Sequence, residues 1–497
     1  MQKNMFSILI IKIREVFGYF KALKTIDVVL TFLALVFSFF TMYYADITVT
    51  GQYGLTFWDS LFDGKLLSFY ENALSNGVAP EGAVYDIGTY IIFGIWQLPV
   101  WILNKILGVS ALSVGALLWL KLLPALFLIL TTYETAELAS KIGINDTFKA
   151  QTGILFLTSL LTYLPVMAVA QYDVIPLYFM VKAINAYMER DDKKFYLNFA
   201  ISMTVKPLTI LALFALIILR EKNVIRIIID LVKGSILMIL CKVIYSTNEA
   251  YKLSCSGFLQ KNMPSLFDSS VDMGRLGSAS LFIVGLMLVY LIAYFDNSFV
   301  DGTHKDGDGE GVLYENKAAL LYVFAVWAVF VAFASATCYW TIYMAPFAIV
   351  VCFMCGNNTS KALLVETIME CMLTVLMVLS FSWVYGGDMT YGYLTLKGFC
   401  SKAIAGEDGK TVAGLMNWII SADELAPAIG GVFVACLSII GIIAYRNIVK
   451  ASNGDKQTLA TDDAKAISYN TWGIRIKIAI IWAWIIATLG ALYMTGR

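Results

Sequence analysis

The chain has 497 residues, of which 59% are hydrophobic and only 14% charged, with a mean hydropathy of +0.74. A water-soluble protein carries roughly 45–50% apolar and about 25% charged residues, so a soluble enzyme, a nucleic-acid binder and a disordered scaffold are excluded. Thirty-six basic residues balance thirty-six acidic ones, which leaves no net field to attract a polyanion.

A membrane-crossing helix needs about 20 apolar residues. The first such run, Ile26–Tyr44, follows Lys3, Lys12, Arg14, Lys21 and Lys24. It lacks the short apolar core and small-residue cleavage site of a signal peptide. A basic start held in the cytoplasm sends this helix outward. The next segment, 46–87, carries Asp46, Asp59, Asp63, Glu71, Glu81 and Asp86 against Lys65 alone, as an external loop would. Apolar runs follow at 88–107, 110–132, 150–170, 172–188, 195–219, 227–246, 278–295, 318–338, 341–356, 362–384, 426–445 and 474–494. Basic residues at Lys141 and Lys149, at Arg190, Lys193 and Lys194, and at Arg220, Lys222 and Arg226 mark cytoplasmic loops. Two consequences follow from that alternation. The run at 88–107 has to lie in the interface or dip in and return, and the run at 195–219 has to be two short helices meeting near Lys206-Pro207. The chain reads as a single integral membrane domain, 1–497, all-α, with about 13 spans.

Chemistry concentrates at the ends of these runs. In Thr50–Tyr70, Leu55, Trp58, Leu61 and Phe62, then Leu66, Phe69 and Tyr70, recur at helical spacing on either side of Gly64. Amphipathic aromatic helices of this kind lie in the headgroup layer and roof a cavity. Carboxylates beneath such a roof are costly unless used or paired. Asp46, directly after the first span, is the first candidate base; Asp59 is the second, with Asp86 as a binding group. In Gln171-Tyr172-Asp173, Gln171 donates and accepts while Asp173 accepts only, a pairing that suits sugar hydroxyls or a cation. Lys206, inside an apolar run, has to pair with an acid such as Asp173 or hold an anionic group. Tyr339, Trp340 and Tyr343 lie on an outer turn, where they stack on a sugar or simply belong to the aromatic belt.

Other signals lead nowhere. His304 is the single histidine, which removes His-based triads and multi-His metal sites. Cys352 and Cys355 lack the further ligands of a zinc site and read as packing. Cys255 and Cys400 fall in loops assigned outside, where a disulfide would be allowed. Asp306, Asp308 and Glu310 imitate a calcium loop, but Lys317 stands where the bidentate glutamate belongs.

Taken in order, Asp46 after the first span, the aromatic loop ending Gly64…Phe69-Tyr70, the Val84–Tyr90 stretch, Gln171-Tyr172-Asp173 and Thr204–Pro207 resemble the polyprenyl-phosphate-dependent glycosyltransferases of the GT-C superfamily, in particular their bacterial multi-spanning mannosyltransferase-like members. The likeness covers about residues 25–220, with 221–497 as variable C-terminal helices, and returns at Tyr339…Pro346. The tyrosine–proline stretch usual after the first loop of the bacterial members keeps Tyr85, Asp86 and Tyr90 here but not the prolines. The resemblance implies an inverting hexosyltransferase of the cell envelope, with its site on the outer face. It would move a sugar from polyprenyl phosphate to a glycan, lipid or protein acceptor, with Asp46 or Asp59 as base, Lys206 at the leaving phosphate, and a divalent cation (Mg2+ or Mn2+) as an optional helper. Membrane lipids, and no nucleic acid, would be its other partners. Three further classes compete. A transporter or flippase of lipid-linked saccharides would have repeated halves and broken mid-membrane helices. A polymerase or ligase would use the late loop, 385–425. A nonenzymatic assembly subunit would tolerate loss of every candidate carboxylate.

Overall fold

The structure, a computed structural model, describes residues 5–296, 309–334, 337–381, 389–391, 414, 416, 421–452 and 463–495. His304, Cys400, Asp306, Asp308, most of the 385–425 loop and the start of the polar stretch 458–468 lie outside the described residues. An amphipathic helix α1 (Met5–Tyr19) leads into α2 (Thr25–Thr41), strand β1 (Met42–Tyr44), and the roof helices α3 (Ala45–Phe62) and α4 (Phe69–Ser75). Then come α5 (Ile87–Leu107), α6 (Val114–Lys141), α7 (Asp146–Thr158) and α8 (Leu160–Tyr163), the last running into a wide turn at Leu164–Ala168. The middle of the chain forms α9 (Val174–Met188), α10 (Asp192–Val205), α11 (Ile210–Arg220) and α12 (Val224–Ile244). Short helices α13 (Glu249–Tyr251) and α14 (Gly257–Asn262) and strands β2 (Ser270–Asp272) and β3 (Ser278–Ser280) precede α15 (Leu281–Phe295), α16 (Gly309–Phe333), α17 (Ala345–Cys352) and α18 (Thr359–Ser380). Strand β4 (Met389–Tyr391) and helices α19 (Ala422–Ser452) and α20 (Asp463–Thr495) end the described chain.

This is an all-α membrane architecture. Among the described residues, six helical stretches are long and apolar enough to cross a bilayer, and a seventh arises if the pair bent by 54° at Ser159, α7 and the Leu160–Ala168 stretch, is one broken span. Strand is confined, among the described residues, to three-residue pieces: β1 pairs antiparallel with β4, Met42 facing Tyr391, and β2 pairs with β3.

Local chemistry sets the breaks. Lys206 precedes a proline and is extended (φ −142°, ψ 111°), so α10 stops there and a turn starting at Pro207 leads into α11. The two-helix reading of 195–219 therefore holds. The dip-and-return at 88–107 does not. That segment is one unbroken helix, α5, because Pro99 removes a single N–H without stopping it and the first left-handed residue is Gly108 (φ +66°), which caps its end. The roof breaks at Gly64 (φ +68°), as the amphipathic pattern predicts. Gly54 on α3 meets the Phe93 backbone of α5, where an added Cβ would stand 2.9 Å from its carbonyl carbon. Only a missing side chain lets these two helices approach so closely.

Two apolar clusters result. The larger threads the helices from α1 to α20. The smaller joins the roof to α5, α12 and α13 through Tyr53, Phe57, Phe69, Tyr70, Tyr90, Tyr245 and Tyr251. Cys352 and Cys355 are buried free thiols directed at carbonyls four residues back, in keeping with packing. Cys255 is likewise a buried free thiol, lying 3.9 Å from Asp86.

Candidate functional site

The site is assembled from four stretches of chain, with Tyr85 from the segment ahead of α5 beside them. Asp46 lies in the first turn of α3 and Asp173 is the residue before α9, so both carboxylates sit at helix N-termini, where the helix dipole favours negative charge. Lys206 ends α10, where the opposite end of a dipole favours positive charge. The fourth stretch is the tight turn Cys338–Tyr343 ahead of α17.

These groups meet. Gln171 Nε2 donates to Asp46 Oδ2 at 2.7 Å, and the Tyr339 hydroxyl reaches the same oxygen at 3.4 Å. Tyr343 donates to Asp173 Oδ1 at 3.2 Å, and Lys206 Nζ lies 3.4 Å from that oxygen and 3.4 Å from the Tyr85 hydroxyl. The ammonium also stands over three rings, 4.7 Å from the centroid of Tyr85, 5.1 Å from Trp340 and 5.9 Å from Tyr172. A cation so placed is held by ring faces as well as by the carboxylate. Asp173, Gln171, Lys206, Tyr339 and Tyr343 are buried, whereas Asp46 is only partly covered. Its Oδ2 takes both hydrogen bonds and its Oδ1 takes none from the described residues. Burial pushes the Asp46 carboxyl above its ordinary pKa, and Gln171, the Lys206 charge and Tyr339 pull it part of the way back.

The surrounding backbone is braced. Ala170 has φ +59°, a left-handed conformation that costs a residue with a Cβ about 1 kcal/mol or more, and it turns Gln171 toward Asp46. Lys121, fully enclosed on α6, donates to the Ser38 carbonyl at 2.7 Å and to that of Met42, which closes the C-terminal end of α2 just before Asp46. Tyr44 N–H then bonds the Val169 carbonyl at 3.0 Å, tying β1 to the turn that carries Gln171. Tyr70 and Tyr90 hold the backbone carbonyl and N–H of Tyr85, at 2.8 and 3.1 Å.

Of the residues singled out in the sequence, Asp46, Gln171, Asp173, Lys206, Tyr339, Trp340 and Tyr343 come together. Asp59 and Asp86 do not join them. Asp59 is half-exposed on the roof, paired with Lys105 at 2.8 Å and Trp101 at 2.8 Å. Asp86 is buried in the smaller cluster, bound by Tyr251 at 2.7 Å and Lys242 at 3.3 Å. Tyr85 and Tyr172, named in the sequence only as parts of their stretches, and Lys121, not named at all, belong to the site or its support. A lysine inside an apolar run was the available signal for Lys121.

A divalent cation does not fit these donors well. No three His, Cys, Asp or Glu side chains converge anywhere among the described residues, and Lys206 already supplies the positive charge beside Asp173. Compared with known families and with characterised proteins, the chain matches no family model and no curated sequence.

Proposed function

We propose that this chain is a membrane glycosyltransferase that moves a sugar from polyprenyl phosphate to an acceptor hydroxyl. The observation that carries the reading is the meeting of Asp46, Asp173 and Lys206 among the rings of Tyr85, Tyr172, Tyr339, Trp340 and Tyr343. Asp46 Oδ1 takes the proton of the acceptor hydroxyl, Oδ2 being fixed by Gln171. The acceptor oxygen attacks the anomeric carbon as the bond from that carbon to the phosphate oxygen breaks, and a single displacement inverts the configuration. Polyprenyl phosphate departs with the electron pair, and Lys206 meets the charge that develops on it. The finer arrangement belongs to the same reading: a GT-C-like catalytic module over 25–220, about 13 passages of the bilayer, a cytoplasmic N-terminus and a site opening on the outer face. It is tested by incubating purified protein with a labelled polyprenyl-phosphate hexose and acceptor membranes. Transfer with inverted anomeric configuration is expected; transfer with retention would contradict single displacement.

A second reading, passage of lipid-linked saccharides across the bilayer, draws on one observation. The bend at Ser159 lies against a buried ionisable group of Glu366, Glu370 and Lys477. Broken helices and charges enclosed among spans are features of transporters. Movement of an intact fluorescent lipid-linked sugar across proteoliposomes, with no bond cleaved, would favour it.

A further inference from the structure

Around Lys206, nearly every polar atom has a partner. Asp173 Oδ1 receives Tyr343 and the ammonium, Tyr172 receives Thr50 at 3.1 Å, and Asp46 Oδ2 receives Gln171 and Tyr339. Two atoms do not. Asp173 Oδ2 is enclosed and unpaired although its residue is 0% exposed, and Trp340 Nε1 is enclosed and unpaired on the ring that faces the same ammonium. The carboxylate oxygen can only accept and the indole N–H can only donate. Both residues stand beside the same ammonium, where an anion would be repelled by Asp173 and a cation by Lys206, so one partner serving both atoms has to be neutral and to give and take a hydrogen bond. A hydroxyl is the smallest group that does both.

We propose that Asp173 Oδ2 and Trp340 Nε1 form the subsite for one ring hydroxyl of the sugar being transferred, and so set which sugars the enzyme accepts. This rests on the glycosyltransferase reading and deepens it. The division of labour follows from charge: the phosphate lies on the lysine side and the ring hydroxyl on the carboxylate side. A sugar lacking that hydroxyl leaves two enclosed polar atoms unpaired, which is the situation in which sites reject analogues most strongly, by up to about 10⁴–10⁵-fold.

The experiment uses the full-length protein, a short-chain polyprenyl-phosphate hexose that the wild type turns over, and the corresponding set of monodeoxy donors. The wild type is expected to use one monodeoxy donor at least about 100-fold less well than the parent. Trp340→Phe keeps a ring over Lys206 and deletes only the N–H. It is expected to lower kcat/KM for the parent about tenfold and to narrow that one gap, leaving the other deoxy donors ranked as before. Asp173→Asn should narrow the same gap, and Trp340→Phe stands alone if the asparagine variant fails to fold. Equal use of all monodeoxy donors by the wild type overturns the proposal, as does an equal fall for every donor in Trp340→Phe, the result expected if the ring only packs or its N–H only meets water. A wild type that turns over no polyprenyl-phosphate sugar at all removes the underlying reading instead, and this inference with it.

Discussion

Two clusters among the described residues share one composition, two carboxylates and a lysine inside the protein's interior, and are built in opposite ways. In the enclosed cluster Glu366 and Glu370 stand one turn apart on α18, and Lys477 of α20 reaches them at 2.8 and 2.9 Å. Ser159 Oγ and Leu160 N–H complete Glu370 at 2.5 and 3.1 Å, and all three ionisable groups are shut off from solvent. In the roofed cluster the acids come from different stretches of chain, the lysine stands back at 3.4 Å among rings, and Asp46 keeps one oxygen open. Close ion pairing on every side fixes helices; a carboxylate with one oxygen left open can serve a reactant. The contrast teaches that position and unspent bonding capacity, more than residue type, separate a structural ion cluster from a chemical one.

Substitutions sharpen that contrast. The largest effect on the protein itself is expected for Lys477→Met, which strands two enclosed carboxylates. Loss of one partner from a buried ion pair costs about 3–5 kcal/mol, read as a collapse of thermal stability in detergent. A stable Lys477→Met would show that the enclosed cluster does not hold α18 to α20. Lys206→Met is expected to lower transfer by about 100-fold or more while the protein still folds; unchanged turnover would remove the lysine from the leaving phosphate. Lys121→Met should reduce transfer and stability together, because it frees the end of α2 beneath Asp46, with about 1–3 kcal/mol at stake for each carbonyl left unpaired. Wild-type turnover should rise with pH through a carboxyl pKa above the ordinary value, since a base acts only when ionised and burial raises Asp46. A flat profile across the acid range would argue against Asp46 as base. The smallest effect, within about 0.5 kcal/mol, is expected for Asp59→Asn, whose exposed pair with Lys105 is worth little.

Much of the site was legible because position along the chain carries physical meaning. An acid at the end of a span, an acid between tightly joined helices, and a lysine just ahead of a proline are each costly, and each turned up beside the others. The segments in between were legible too: where they are described, the apolar runs are largely helical, apart from β1 at the end of the first and β3 at the start of 278–295. What could not be read was pairing across distance. Asp59 and Asp86 look like Asp46 in the sequence, and only the fold brings Lys105 to one and Lys242 with Tyr251 to the other. Lys121, Glu366, Glu370 and Lys477 carry the same signal as Lys206, an ionisable group in an apolar run, but their partners lie on other helices. The continuity of α5 removes dip-and-return as the reading of 88–107, because alternating loop charge says nothing about whether a helix is interrupted.

The central claim is that Asp46 is the base that activates the acceptor. Its most direct test is sugar transfer from labelled polyprenyl phosphate by purified Asp46→Asn beside Asp59→Asn, with thermal unfolding of both in parallel. Near-complete loss in Asp46→Asn, about 10²–10⁴-fold, with normal unfolding and a fully active Asp59→Asn, is the expected result. Full turnover by Asp46→Asn would contradict the assignment.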